Sequence, residues 1–216
     1  MAALLADSEY IYNTTDDGLV QPNAIDDALD ILKTKPSIDM MNMIYNEGYL
    51  DAETLEFNLS SDDYRLNADH LNAHHNAYWK PYTHSDLRMA GINPDWKLCM
   101  HFIINTSYFM ELGGYDCEYE YSNHALHDLV FRAQHNGSVV HFPSFIAFFC
   151  SHYPGQDGDH GPIHDAQTGP DLKRFNDIYS KPNAVNDRVK LDYNGWKNKE
   201  YIWTRRFNSN NLQVHK

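Results

Sequence analysis

The sequence predicts one α/β domain, and three observations carry that expectation. A run rich in aromatic and β-branched residues, Glu9 to Thr15 (EYIYNTT), passes through an acidic turn into an amphipathic stretch and then a second apolar run. This is the order strand, turn, helix, strand. Farther on, a mainly apolar helical stretch around Ala125 to Ala133 lies between strand candidates at 97–106 and 138–150. The 216 residues, 42% of them apolar, are enough for one sizeable core and too few for two comfortable ones.

Taken in order, the first strand ends at Asp16-Asp17 and a helix follows. Pro22 suits a first helical position, and Ile25, Ala28, Leu29 and Leu32 recur at helical spacing with Asp26, Asp27 and Asp30 on the wet side. Lys33 and Lys35 suit the helix C-terminus and Pro36 stops it. Ile38 to Tyr45 (IDMMNMIY) reads as a buried strand. Periodicity then fades from Asn46 to Asp95, where aromatic residues mix with His70, His74, His75 and His84, the pattern of long loops laid over a sheet.

Lys97 to Thr106 (KLCMHFIINT) predicts a strand, and Tyr108 to Leu112 a short helical turn. Gly113-Gly114 reads as a break that lets backbone approach a ligand, or as a tight turn. The apolar helix that follows is one Gly137 can end in a left-handed cap. Ser138 to Phe142 and Phe145 to Cys150 are strand candidates, 152–170 is loop-like, and Leu172, Phe175, Ile178 and Tyr179 mark a last short helix before an irregular tail.

Charge and cysteine usage narrow the function classes. A formal charge of −13 argues against a nucleic-acid partner, and the late basic run of Lys197, Lys199, Arg205 and Arg206 reads as a solvated face. The three cysteines are widely spaced and odd in number, which supports neither a disulfide framework nor a zinc knuckle and suggests a reducing compartment. No apolar run reaches the length of a transmembrane helix and residues 1–10 lack signal-peptide character, so a cytoplasmic location is expected.

The candidate chemistry centres on two segments. Asp16-Asp17 places two carboxylates at a strand end, a hard-oxygen arrangement suited to Mg²⁺ or Mn²⁺ and, through the ion, to a diphosphate. About ninety residues later comes Asn105 to Asp116 (NTSYFMELGGYD), followed by His127 to Gly137 (HDLVFRAQHNG). In order and spacing these segments resemble the family 2 glycosyltransferases of GT-A fold. That family carries a DxD-type acidic motif at a strand end, an N-[ST]…GG-[FY]-D segment and a helix of pattern acidic-x-DL-x-x-R-x-x-x-x-G.

The resemblance implies a partial GT-A-like sandwich, a mixed central sheet flanked by helices, and metal-dependent, inverting transfer from a nucleotide-sugar donor to a carbohydrate or other hydroxyl acceptor. It divides the single domain 1–216 into an acidic metal-motif unit at 1–45, acceptor-side loops at 46–96, the GGYD and helix core at 97–150, and a C-terminal loop, helix and tail at 151–216. The family's preceding β/α units, which bind the nucleotide base and ribose, have no counterpart in this sequence. It therefore covers the metal-and-acceptor half, with the other half on a longer gene product or on a separate chain.

Residue by residue, the resemblance implies donor and metal contacts from Asp16 and Asp17, with Asp17 the direct ligand. In one register Thr15 stands where the family's first acid sits, and in the other Asp16 is that acid and Gly18 closes the motif. A histidine after the late strands could complete the metal shell; His152 is best placed, with His160 and His164 also available. Gly113, Gly114 and Asp116 fall on the acceptor side, and Trp79, Tyr82 and Trp96 could each stack on a sugar ring or serve the core. The family's usual base position falls on Leu126, which cannot accept a proton. That leaves Asp128, His127 or His124 as the catalytic base, with Asp128 equally suited to pair with Arg132 one helical turn on. A non-catalytic carbohydrate-binding or assembly protein of the same descent is the competing expectation. A His-rich metallohydrolase is a third, lacking any compact ligand motif.

Overall fold

The computed structural model describes residues 6–14, 18–50, 57–59, 89–93, 95–97, 99, 101–116, 118–119, 122–143, 147–151 and 167–191. In chain order the described elements are β1 (Tyr10–Asn13), β2 (Gly18–Val20), α1 (Ala24–Leu32), β3 (Met40–Asn42), β4 (Ile44–Leu50), β5 (Phe57–Leu59), β6 (Phe102–Asn105), α2 (Thr106–Glu111), α3 (Ser122–His135), β7 (Val140–His141), β8 (Ala147–Ser151) and α4 (Leu172–Tyr179). A wide, kinked turn, Gln167–Asp171, leads into α4, and a 3₁₀ turn, Asn186–Arg188, follows it.

The strands form two four-stranded sheets, both mixed. In the first the order is β1-β6-β3-β7, with β6 antiparallel to β1 and β3 while β3 and β7 run parallel. In the second the order is β2-β8-β4-β5, with β8 and β4 parallel and the outer pairs antiparallel. The apolar run expected as one strand at 38–45 therefore splits: β3 serves one sheet, β4 the other, and Met43 joins them. β4 and β5 also extend strand structure into a region whose faded periodicity suggested loops.

Register explains the layering of the first sheet. Ile11, Ile104, Met40 and Val140 lie in one row, and this face packs on α2 and α3 through Tyr108, Leu129 and Ala133. The alternate row, Tyr12, Ile103 and Met41, faces Ala24, Ala28 and Leu32 of α1. Helices thus cover both faces of a mixed sheet, so the α/β class expected from the sequence holds. β1 is the outer strand of that sheet among the described strands, whereas a central place was expected of it.

Three local details depart from or refine the expectations. Pro22 precedes α1 instead of opening it; Asn23, at φ 66, is the N-cap residue. Ile25 turns to solvent, and the buried stripe is Ala24, Ala28 and Leu32. Gly137, at φ 96, does cap α3: the N–H groups of Gly137 and Ser138 donate to the carbonyls of Gln134 and Ala133 at 3.1 and 3.0 Å, a Schellman motif.

α3 is buried on every side, with the sheet on one flank and α4 on the other, where Phe175 and Tyr179 meet Ala125 and Phe131. Its polar residues must then find partners inside the protein. None of the helices in the described residues is long and apolar enough to cross a membrane.

Candidate functional site

The segment between α2 and α3 is shaped by a second Schellman motif. Asn105 caps α2, its Oδ1 accepting from the Tyr108 N–H at 3.2 Å. At the other end the N–H groups of Gly113 and Gly114 donate to the carbonyls of Met110 and Phe109, at 3.0 and 2.9 Å. Both glycines have positive φ, +79 and +64. Gly113 has a further reason to lack a side chain: a Cβ there would lie 2.2 Å from the carbonyl oxygen of Leu191. The backbone that this glycine lets approach is the chain's own C-terminal segment, which also donates from the Leu191 N–H to the Leu112 carbonyl at 3.0 Å.

The turn is then held from below by α3. Arg132, fully buried, donates from Nη1 to the Leu112 carbonyl at 2.6 Å, from Nη2 to the Gly114 carbonyl, and from Nε to Asp128 Oδ2 at 2.8 Å. Asp128 is fully buried as well, and its Oδ1 accepts from the Tyr179 hydroxyl at 2.8 Å and from Nε and Nη2 of Arg188 at 3.1 and 2.9 Å. Its charge is met by two guanidinium groups and a phenol.

Asp116 completes the network. Its Oδ1 accepts the Glu118 N–H at 2.9 Å, and its Oδ2 accepts from Arg174 Nη2 at 2.6 Å and Arg188 Nη2 at 2.9 Å. Burial pushes the Asp116 carboxyl up, but the hydrogen bonds from Arg174, the Glu118 backbone and Arg188 outweigh it and hold the group below the usual carboxylate range. For Arg188 burial favours loss of the proton, and the adjacent Asp128 carboxylate more than offsets it, so the guanidinium stays charged. Arg174 also pairs with Glu118 and lies 5.5 Å from the centre of the Tyr119 ring. Burial, reinforced by the Asp128 charge, raises the Tyr179 phenol well above its ordinary value, so it serves as a donor.

One contact ties this assembly to the first strand. The Tyr115 hydroxyl donates to Asn13 Oδ1 at 2.6 Å, across a sequence separation of 102 residues. Asn13 ends β1, three residues before Asp16 in the sequence. Burial raises the Tyr115 phenol too, keeping it protonated and donating.

The sequence-predicted residues divide into two groups. Gly113, Gly114, Asp116 and Asp128 are brought together through Arg132 and Arg188. His124 and His127 are buried on α3 with ring centres 6.2 Å apart, and burial lowers the His124 pKa against a smaller opposing effect of Asp171. Trp96 packs on Phe131 and His135, 6.5 and 5.8 Å between ring centres, on the α4 side of α3. Asp16, Asp17, Trp79, Tyr82, His152, His160 and His164 lie outside the described residues. Among the described residues no group of three or more His, Cys, Asp or Glu is arranged to hold a metal ion.

Sequence reasoning missed Arg174 and Arg188. The basic residues that drew notice lay farther on, at 197–206. A usable signal was charge balance: Asp116 and Asp128 near one buried helix had a single visible cation, Arg132, and two buried carboxylates need more than one. No protein-family model matches this chain, and no curated protein matches it.

Proposed function

We propose that the chain is a glycosyltransferase-like domain whose Gly113 to Asp116 segment forms the acceptor side of a sugar-transfer site, completed by the missing β/α nucleotide-binding units. The observation that carries this reading is the Tyr115–Asn13 hydrogen bond, which joins the GGYD segment to the end of the strand leading to Asp16-Asp17. Ligand sites in α/β sheets gather at the carboxyl ends of strands, and β1 and β3 both end on this side of β6. The GT-A-like order of the elements belongs to the same reading.

In the transfer, the acceptor oxygen bonds to the anomeric carbon as the bond to the leaving diphosphate breaks, and the hydroxyl proton passes to a base. Asp128 has four donors on its two oxygens and no exposure, so its part is to hold Arg132 and Arg188 in place. Arg132 in turn fixes the carbonyls of Leu112 and Gly114. The proton then falls to a group that an acceptor can reach, with Asp116, at the rim of the network, presenting one lone pair of Oδ1 beyond the Glu118 N–H. Asp16 and Asp17 are proposed as the contact to a divalent ion on the strength of their sequence.

The engagement of Asp128 favours a second reading, a non-catalytic carbohydrate-binding or assembly protein built on the same frame. One experiment separates the two. The chain is combined with the β/α units, supplied in frame or as a separate chain, and assayed against a panel of nucleotide-sugars with Mn²⁺ present. Sugar transfer supports the enzyme, whereas glycan binding without transfer supports the binding protein. Calorimetry of Mn²⁺ binding on Asp17→Ala and His152→Ala tests the metal contact; an affinity unchanged in Asp17→Ala removes Asp17 from the site.

A further inference from the structure

The outer edge of β1 is open for strand addition, and its hydrogen-bonding parity can be worked out. The Thr106 N–H donates to the Glu9 carbonyl at 2.8 Å, and the register pairs Ile11 with Ile104 and Asn13 with Phe102. In an antiparallel ladder the bonded pairs alternate. Residues 9, 11 and 13 therefore direct their backbone groups at β6, and Tyr10 and Tyr12 direct theirs outward. The Tyr10 carbonyl accepts from the Ser8 hydroxyl at 3.0 Å. Tyr12 has both outward groups without a hydrogen bond among the described residues.

Natural sheets protect such an edge with lysine, proline, a bulge or a very short strand. The run Tyr10-Ile11-Tyr12-Asn13 carries no lysine or proline, and its register with β6 is continuous. Its two tyrosines pack toward α1 and Ile11 packs toward the α3 face, so the layers on both sides of the sheet reach this edge. A strand laid against it would be covered on both faces, the setting of a short apolar parallel strand delivered by a β/α unit. A second copy of this chain is a poor occupant. Each copy has a formal charge of −13, and two outward residues offer too little contact to overcome that repulsion.

We propose that β1 is an internal strand of the complete protein, and that an apolar strand of the preceding β/α unit pairs in parallel with the Tyr10–Asn13 edge, bonding through Tyr12. This rests on the proposed function for the identity of the partner; the open edge itself does not depend on it.

The test uses this chain, affinity-tagged, co-expressed with the polypeptide encoded immediately upstream of Met1. Proline at position 12 removes only the outward N–H, which β6 does not use, whereas proline at position 11 removes a bond to β6. For the chain alone, Tyr12→Pro should melt close to wild type and Ile11→Pro well below it, a comparison that checks the parity and shows that the first variant folds. With the upstream polypeptide, wild type and Tyr12→Phe should retain it through size exclusion, and Tyr12→Pro should lose at least about tenfold in affinity, since a blocked ladder bond costs more than 1.4 kcal/mol. Retention equal in Tyr12→Pro and wild type would overturn the edge assignment and leave the half-enzyme reading standing. An upstream polypeptide without a β/α unit, or one that wild type does not hold, would overturn the reading and remove the proposed occupant with it.

Discussion

Replacing Asp128 by asparagine should unfold this protein far more readily than its size change suggests. The side chain keeps its shape and loses its charge. Oδ1 can still accept from Tyr179 and Arg188, but the new amide N–H₂ meets the Nε–H of Arg132, donor against donor, where a 2.8 Å ion pair stood. Arg188 retains Asp116 as a counter-charge at 2.9 Å; Arg132, fully buried, keeps only the neutral carbonyls of Leu112 and Gly114. Breaking one side of a fully buried pair costs about 3–5 kcal/mol. At roughly 2–4 °C per kcal/mol for a chain of this size, the midpoint of thermal unfolding should fall by about 6–20 °C. The assay is thermal unfolding followed by circular dichroism, together with a double-mutant cycle using Arg132→Met. Coupling between the two positions should reach about 1–3 kcal/mol. A midpoint within about 2 °C of wild type would refute the reasoning and return Asp128 to consideration as a freely titrating base.

Gly113→Ala should cost more than Gly137→Ala in urea unfolding. Both have positive φ, worth about 1–2 kcal/mol, but only the first drives a Cβ into the Leu191 carbonyl, while the second meets nothing nearer than Ile38 Cδ1 at 3.8 Å; equal losses would show that the C-terminal segment gives way freely. Asp116, held below its usual value, contributes stability that is present above pH 3.8 and is lost as pH falls through the folded-state value. Asp116→Asn should therefore flatten the acid limb of the stability curve, and an acid limb as steep as wild type would exclude it as a contributor. His124 has the opposite charge type with the same direction in pH. Its depressed folded-state pKa leaves its contribution intact above pH 6.5, and it is lost as the unfolded chain takes up the proton below that value. Comparing unfolding midpoints of His124→Phe and wild type at pH 7.5 and 5.5 checks this, since the variant should lose less on acidification.

Much of the fold was legible because its signals are local. The 3.6-residue spacing in α1 and α4, the glycine after α3 and the aromatic run of β1 each depend on neighbours in sequence, and each appears near its expected place. The division into two sheets was not legible. An unbroken apolar run from Ile38 to Tyr45 has no local mark for the change of sheet at Met43, which depends on which strands arrive from 102–105 and 147–151. The acidic centre was half legible for the same reason. The i, i+4 spacing of Asp128 and Arg132 is a sequence property, whereas Arg174 and Arg188 reach Asp116 from 58 and 72 residues away.

Burial of α3 on both flanks connects these points. A helix so enclosed would normally be apolar throughout, and this one carries Asp128 and Arg132 at its centre. Their charges are tolerable only because the Gly113-Gly114 turn presents carbonyls to Arg132 and because the C-terminal segment brings Arg188 and Tyr179 to Asp128. The turn needs glycine at 113 so that Leu191 can pass, and Leu191 follows Arg188 by three residues, so the passage that forbids a side chain at 113 also delivers the cation that Asp128 needs. Substitution at either end should therefore loosen the other. In Arg188→Gln, amide exchange at Gly113 and Gly114 should accelerate although neither residue touches position 188, and unchanged protection there would show that the turn stands on α2 and Arg132 alone.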